Sequence, residues 1–341
     1  MDYIQKTIEL HNYFGKNENY VQAAGGNISI KEGDIIHIKK SGLSFGDIKD
    51  KNDIISLNIS KEEMMQEVLS IKNKKNLENR YNEFINHKNT NEDRPSIELS
   101  FHIFGDKYTL HLHPTLINIF TCTKEGQEII KKICEENDNM SYVDYFKPGI
   151  ILTDAILQER STLNDITFLF NHGVIVTGPS EESIKEKYEI IEKLLKKEII
   201  YEEDWGSGLT YFSKENDDGH YCMNDFSNTV GLYEGGDDLL KRHAWARGDL
   251  RPITDHYMLH LYPDSAIYNA LFYKQDQEWW IAFNKNKKDA IFRTELFFNK
   301  MKIIHFAKLN GFTPCYLDEE SVDELVNWDA EKYRQDLLKK F

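Results

Sequence analysis

Cysteine is scarce in this chain of 341 residues, and its scarcity excludes one class of protein. The four cysteines, Cys122, Cys134, Cys222 and Cys315, are widely separated and form no CxxC pair. Small secreted domains that depend on a dense disulfide framework are therefore excluded. We expect a reduced, cytoplasmic setting.

Long apolar runs and an excess of basic residues are also missing. No run approaches the roughly 18 apolar residues that mark a membrane-spanning helix, and the opening segment MDYIQKTIELHNYFG lacks the apolar core of a signal peptide. We therefore expect a soluble protein with no membrane partner. The 42 Lys and Arg against 57 Asp and Glu give a net charge of −15. Nucleic-acid binders need a basic face, so we expect no nucleic-acid partner.

Nucleotide-binding fingerprints are absent too, because neither GxGxxG nor GxxxxGK[ST] occurs. What the chain does contain is a globular composition, with 40% hydrophobic and 29% charged residues. A chain of this length is sufficient for two domains with a sizeable core.

Helical and strand patterns are mixed over the first 205 residues, which predicts an α/β fold for that part. Helices are predicted for DYIQKTIELHNYFG, KEEMMQEVLSIKN, RPSIELSFHIFG, LINIFTCTKEGQEIIKKICEE and SEESIKEKYEIIEKLLKKEIIYEE. Strands are predicted for the hairpin NISIKEGDIIHIKKSG, for YTLHLHP and for ITFLFNHGVIVTG. The polar stretch that ends near residue 93 predicts a surface excursion. The domain prediction is a catalytic unit at 1–205, a linker at 206–224 and a small α+β accessory domain at 225–341.

Two histidines stand one residue apart in the strand TLHLHP. Side chains at i and i+2 of a strand project from the same face, about 7 Å apart along it, so His111 and His113 could reach one cation. A catalytic zinc site has three protein ligands and an open position. His172, which precedes Gly173 between two strand-like flanks, is the candidate for the third ligand.

A carboxylate precedes the histidine pair in RPSIELSFH. Glu98 lies at the start of a predicted helix, where the helix dipole favours its charged form, and it is therefore a candidate proton-transfer base beside a metal. His102 lies four residues later on the same helix face, and we interpret it as a supporting or core residue rather than a ligand.

Three short loops have the composition of an anion-binding site. AAGGNIS, KKSG and RPS each place hydroxyl, amide or basic side chains beside a glycine or a helix start. The candidate substrate-binding residues in these loops are Asn27, Ser29, Lys39, Ser41, Gly42, Arg94 and Ser96.

Taken in order, GGNIS, SG, RPSIE, HLHP and NHG resemble the class II aldolase and adducin family over roughly residues 1 to 200. HIKKSG, YFKPG, LYPDSAIY and WDAEKYR resemble more closely the aldolase part of bifunctional rhamnulose-phosphate aldolase/lactaldehyde dehydrogenase proteins. Two positions of the sequence depart from the pattern of the family. Ile97 and Ala24 stand where two hydroxyl-bearing residues are common, so Lys39, Lys40 or Arg94 would have to compensate in binding a phosphate.

The resemblance implies a three-layer α/β/α fold around a mainly antiparallel sheet, a homotetramer, and a bound metal that is usually zinc. It implies that His111, His113 and His172 are the metal ligands and that Glu98 is the catalytic acid/base. Asn27, Ser41, Gly42 and Ser96 correspond to the loops that bind the substrate phosphate.

The function that follows as a hypothesis is reversible aldol cleavage of a ketose or ketose phosphate through a metal-stabilised enediolate. Tyr145, with Tyr142 as a second candidate, would protonate the departing group. Two alternatives stay open at this point. A sugar-acid decarboxylase or dehydratase would use the same metal and carboxylate, and an adducin-like binding module would keep the fold without chemistry.

Overall fold

The structure of the chain is a computed structural model. The structure describes residues 2–70, 76–158, 162–203, 214–215, 221–223, 271–275, 278–282 and 287–326. Among these residues, no helix has the length and apolar character needed to cross a membrane.

The first part of the chain forms a seven-stranded sheet. Its strands are β1 (Asn27–Glu32), β2 (Ile35–Lys39), β3 (Ile54–Asn58), β4 (Tyr108–Leu112), β5 (Met140–Val143), β6 (Ile166–Leu169) and β7 (Gly173–Gly178). Their order across the sheet is β3-β2-β1-β4-β7-β6-β5. Neighbouring strands are antiparallel except for the parallel pair β5 and β6, so the predicted, mainly antiparallel sheet is confirmed.

Helices cover both faces of this sheet. They are α1 (Tyr3–Phe14), α2 (Lys61–Met64), which continues as a π-helical turn over Met65–Leu69, α3 (Leu77–Lys88), α4 (Leu99–Phe104), α5 (Thr115–Thr121), α6 (Lys124–Glu135), α7 (Ile150–Leu157) and α8 (Glu181–Leu195). One buried apolar cluster, here called the first core, joins one sheet face to α1, α5, α6 and α8. The second core joins the other face to α2, α3, α4 and α7. The three-layer α/β/α prediction is therefore confirmed.

The central strands are buried on both faces, as expected where helices cover both sides of a sheet. In β4, Leu110 and Leu112 point into the first core, and the alternating residues Thr109 and His111 point to the opposite face. Ser29 of β1 lies opposite Thr109 in the register and is likewise buried. A polar strip therefore runs beneath α4, and this strip is where the predicted site residues gather.

The structure contains one helix that the sequence analysis missed and divides one predicted helix in two. The stretch read as a surface excursion contains α3, whose buried face consists of Leu77, Tyr81, Phe84 and Ile85. The single helix predicted at LINIFTCTKEGQEIIKKICEE is two helices, α5 and α6, separated at Cys122 and Thr123. Thr123 forms a bridge with Pro314 there, so the break makes room for a later part of the chain.

The helix predicted at RPSIELSFHIFG is shorter than expected. It begins at Leu99, and Pro95 lies outside it in a bridge with Lys40. Pro95 therefore belongs to an extended approach to the helix, and Glu98 is the last residue before it.

The C-terminal part contains a four-stranded antiparallel sheet and two helices, in agreement with the α+β prediction. Its elements are β8 (Lys214–Glu215), β9 (Tyr221–Met223), β10 (Leu271–Gln275), β11 (Glu278–Ala282), α9 (Lys287–Leu309) and α10 (Glu319–Val326). Leu296, Ile303 and Phe306 of α9 are buried in the first core. The boundaries at 205 and 225 stay a prediction. Much of the predicted linker, 206–224, lies outside the described residues, and the described residues within it form the strands β8 and β9 of this sheet.

Candidate metal centre and adjoining pocket

Four buried side chains converge at one end of the polar strip: Glu98, His111, His113 and His172. Each is at most 2% exposed, and each offers one ligand atom within 4.8 Å of the others. The chain thus brings together all three predicted metal ligands and the predicted base, from three separate stretches of sequence.

The local fold explains how these side chains reach one point. His111 lies in β4, and His113 is the first residue after the strand, separated from His111 by Leu112. His172 lies in the turn between β6 and β7, where Asn171 adopts a positive φ of 56°. Gly173 allows β7 to approach β4 closely, because a Cβ at this position would lie 2.3 Å from the carbonyl oxygen of Leu112.

The donor atoms have the spacing of a metal site. His111 Nε2 lies 2.9 Å from His113 Nε2 and 3.3 Å from Glu98 Oε2, and His172 Nε2 lies 3.1 Å from Glu98 Oε1. Donors bound tetrahedrally to zinc at about 2.0–2.1 Å lie roughly 3.3 Å from one another. The residues present therefore fit a divalent cation.

The hydrogen bond of His111 to the backbone fixes which ring nitrogen faces the cluster. Its Nδ1 lies 3.0 Å from the carbonyl oxygen of Val174, which can only accept, so Nδ1 carries the proton. The lone pair of Nε2 is then directed into the cluster, where a metal ion would bind. A metal-binding histidine is held in the same way, by a hydrogen bond from its other ring nitrogen.

Electrostatics keep Glu98 ionised in this buried place. Burial alone raises its pKa, but His111 and His172, through the charge that they carry when protonated and through their hydrogen bonds, outweigh burial and hold the pKa of Glu98 well below its usual range. Burial lowers the pKa of His172, which favours the neutral imidazole that a metal binds.

A small pocket adjoins Glu98 and collects the predicted loops. It is lined by Ala24, Gly25, Gly26, Asn27, Lys39, Ser41, Gly42, Ser96, Ile97 and Glu98. Lys39 is 2% exposed, and its Nζ donates to the carbonyl oxygens of Ala24 at 2.8 Å and Leu43 at 2.5 Å. The buried ammonium group thus ties the first two loops together and places a positive charge at the pocket.

Asn27 connects this pocket to the metal centre. Its Nδ2 donates to Glu98 Oε2 at 2.7 Å and to Ser96 Oγ at 3.0 Å. Its Oδ1 accepts from His102 Nε2, and His102 Nδ1 lies 2.7 Å from Ser29 Oγ. Burial, together with the charges nearby, lowers the pKa of His102 far below its ordinary value, so the ring is neutral and serves to orient Asn27.

Three of the predicted site residues, Ser29, Arg94 and Tyr145, are not among the residues that line this pocket. Ser29 bonds to His102. Arg94 meets the second loop through its backbone, because its carbonyl oxygen accepts from the N–H of Ser41 at 2.9 Å. Tyr145 packs against the first core, and burial, with Asp318 and Glu324 nearby, raises its pKa. Substrate-binding and catalytic roles for these three stay predictions.

The contacts that hold the turn at His172 were not predicted from the sequence. Asn171 donates from its backbone N–H to the carbonyl oxygen of Thr121 at 3.0 Å and from Nδ2 to that of Cys315 at 2.7 Å. Asn tolerates a positive φ, so its place before His-Gly was a usable signal for a turn. Nothing in the sequence pointed to Cys315 as its partner.

A three-layer α/β/α fold whose buried histidines and carboxylate adjoin a polar pocket is the arrangement expected of a metal-dependent enzyme. The family profile described as "Class II Aldolase and Adducin N-terminal domain" matches residues 5–199. The chain belongs to this family, whose aldolases use a divalent metal, and it is a lyase of the aldolase type.

Two curated relatives match the same region. An L-fuculose phosphate aldolase of Methanococcus maripaludis is 26% identical over 192 residues, which cover 52% of this chain and 86% of that protein. An L-fuculose phosphate aldolase of Methanocaldococcus jannaschii is 27% identical over 199 residues, which cover 54% of this chain and 89% of that protein. The closer likeness to the bifunctional proteins stays a prediction.

Solved structures with a similar fold include the N-terminal class II aldolase domain of a conserved protein from Thermoplasma acidophilum. It is 21% identical with a TM-score of 0.48, and the match covers 58% of this chain and 93% of that one. A structure of L-fuculose 1-phosphate aldolase is 16% identical with a TM-score of 0.39, covering 57% of this chain and 84% of that one.

Proposed function

We propose that this protein catalyses reversible aldol cleavage of a ketose phosphate, with Glu98 as the proton-transfer group. One observation carries the proposal. The Glu98 carboxylate contacts His111 and His172 of the metal cluster and also accepts from Asn27 of the pocket. A base must reach both the activated carbonyl region and the bound substrate, and Glu98 is the residue placed to do so.

His111, His113 and His172 would hold the metal, which we propose to be zinc. When bound, the cation would supply Lewis acidity that polarises a substrate carbonyl and stabilises the negative charge that develops on cleavage. Glu98 holds or moves the proton at the carbon beside that carbonyl. Asn27 donates to one Glu98 oxygen and so fixes the orientation of the carboxylate.

The pocket favours an anionic substrate. Lys39 brings a buried positive charge, and the glycines of the first two loops leave backbone groups close to the pocket. Lys39 therefore provides the compensation for Ile97 and Ala24, where hydroxyl groups are missing. Lys40 forms an ion pair with Asp93 at 2.6 Å, so its charge is already paired. The two named relatives act on L-fuculose phosphate, and this chain's substrate is proposed only as a ketose phosphate or ketose.

Tyr145 as proton donor to the departing group and assembly as a homotetramer also remain proposals. Both rest on the family resemblance. A tetramer would bring residues of another subunit to each pocket, and light scattering of the purified protein measures that state directly.

The test of the proposed function is a panel of substrates with products identified by mass. We expect the metal-loaded protein to convert a ketose phosphate into an aldehyde and dihydroxyacetone phosphate, or a ketose into an aldehyde and dihydroxyacetone. Each sugar acid in the panel should remain unchanged. Carbon dioxide or water as the only small product would favour a decarboxylase or dehydratase and would contradict the proposal. A protein that binds no divalent ion and converts nothing would favour the binding module.

A further inference from the structure

The segment before Asn27 is held by a helix from the far end of the chain. The backbone N–H of Ala23 donates to the carboxylate of Glu295 at 2.8 Å. Glu295 belongs to α9, and the two residues are separated by 272 positions in sequence. The family match ends at residue 199, so this contact comes from a part of the chain that the family match does not include.

Ala23 occupies a backbone conformation that needs such support. Its φ is 50°, in the left-handed region that L-residues other than Gly, Asn and Asp rarely adopt. A charge-assisted hydrogen bond to its N–H offsets the cost of this conformation. Glu295 therefore stabilises the backbone turn from which Gly25, Gly26 and Asn27 follow.

Two further residues of α9 hold the same stretch. Asn299 Nδ2 donates to Gln22 Oε1 at 2.9 Å, and Asn299 Oδ1 accepts from Thr115 Oγ1 at 2.6 Å. Thr115 lies two residues after His113, in the stretch 111–115 that is here called the metal-ligand segment. Asn299 therefore links this segment to Gln22, which directly precedes Ala23. Lys302 Nζ donates to Asn19 Oδ1 at 3.1 Å.

The loop has little room to move without affecting the site. A Cβ at Gly25 would lie 2.6 Å from His113 Nδ1, and a Cβ at Gly26 would lie 2.9 Å from the carbonyl oxygen of His111. Lys39 Nζ also donates to the carbonyl oxygen of Ala24 in this loop. The loop is thus packed against the metal-ligand segment and held in place by α9 and Lys39.

We propose that Glu295 is a positioning residue for substrate binding: it holds Ala23 in its left-handed conformation and so presents the loop from Gly25 to Asn27 to the substrate. The inference rests on the proposed function in taking this loop as part of the substrate pocket. If the inference is correct, α9 supports the substrate pocket through two residues. Glu295 bonds to Ala23, and Asn299 bonds to Gln22 and Thr115.

The test compares Glu295→Ala with the double variant Ala23→Gly/Glu295→Ala and with Glu295→Gln. Hydrogen–deuterium exchange of the peptide covering residues 20–28 is the first readout, because it requires no substrate. We expect at least about tenfold faster exchange in Glu295→Ala, the lower end of the effect that one hydrogen bond to a charged group produces. Exchange in β4 and the metal content should stay unchanged.

Kinetics on a converted substrate supply the second readout. Glu295→Ala is expected to raise KM about tenfold with a smaller fall in kcat, because the loop is proposed to bind the substrate and only its last residue, Asn27, contacts Glu98. Glutamine keeps an oxygen that can accept the hydrogen bond from Ala23. The KM of Glu295→Gln should therefore stay close to that of the wild type. Glycine adopts a positive φ without strain, so Ala23→Gly should lower the raised KM of Glu295→Ala.

The matched control is Glu189→Ala, which removes an exposed glutamate from another helix and should change neither readout. Unchanged exchange over residues 20–28 in Glu295→Ala would overturn the inference. Equally increased exchange in β4 and α5 would also overturn it, since α9 would then support the whole fold rather than the loop. Because exchange is measured without substrate, failure of the aldolase proposal leaves this test intact.

Discussion

Replacing Glu98 by glutamine is expected to lower kcat by about 10²–10⁴-fold, the usual contribution of a general acid or base. Glutamine has nearly the size of glutamate, so it fits the same buried space, but its amide cannot take up a proton at the pH of the reaction. The three histidines are untouched by this change. The metal content should therefore equal that of the wild type.

The measurement is kcat on a converted substrate, together with metal content by elemental mass spectrometry on the same preparation. Glu189→Gln, at an exposed position of α8, is the matched control and should behave as the wild type. If Glu98→Gln loses its metal along with its activity, Glu98 is a ligand, and its assignment as the proton-transfer group is wrong.

Replacing His172 by alanine is expected to weaken zinc binding by at least about 100-fold and to reduce turnover to background. Loss of residues that only support metal ligands already costs about 10–100-fold in affinity, and His172 offers its Nε2 to the cluster directly. Zinc should raise the Tm of the wild type, because a ligand that binds only the folded state stabilises it, and this rise should disappear in the variant.

Elemental analysis and thermal unfolding with and without added zinc make the measurement. His37→Gln is the matched control, because His37 is also a mostly buried histidine of the same sheet and its Nδ1 lies 2.7 Å from Ser56 Oγ. It should retain the metal and the zinc-dependent rise in Tm. Full metal content and activity in His172→Ala would refute the proposed ligand set.

Local patterns in the sequence predicted the parts of the site that lie within one strand or turn. His111 and His113 could be paired from the two-residue period of a strand, and the β1–β2 hairpin from the turn at Gly33. The meeting of Glu98 with His172 depends on the packing of α4 against the sheet, over 74 positions of sequence between 98 and 172. No local pattern shows that the two residues meet: the sequence offered Glu98 and His172 as separate candidates, and the family resemblance implied that they share one site.

Two other features of the fold were not predicted from the sequence. The stretch that contains α3 is rich in Asn, Lys and Glu, so it looked like a solvent-exposed excursion, although Leu77, Tyr81, Phe84 and Ile85 follow helical spacing. The contact between Ala23 and Glu295 could not be predicted, because a strained alanine has no signature in sequence. Tertiary packing decides both features.

The most direct test of the central claim is the exchange of carbon-bound hydrogen in D2O. We expect the metal-loaded wild type to introduce deuterium into dihydroxyacetone phosphate or dihydroxyacetone at the carbon that would bond to the aldehyde, because Glu98 moves the proton there. Glu98→Gln and the metal-free protein should introduce none. Failure of the metal-loaded wild type to introduce deuterium into either compound would contradict the role of Glu98 as the proton-transfer group of an aldolase.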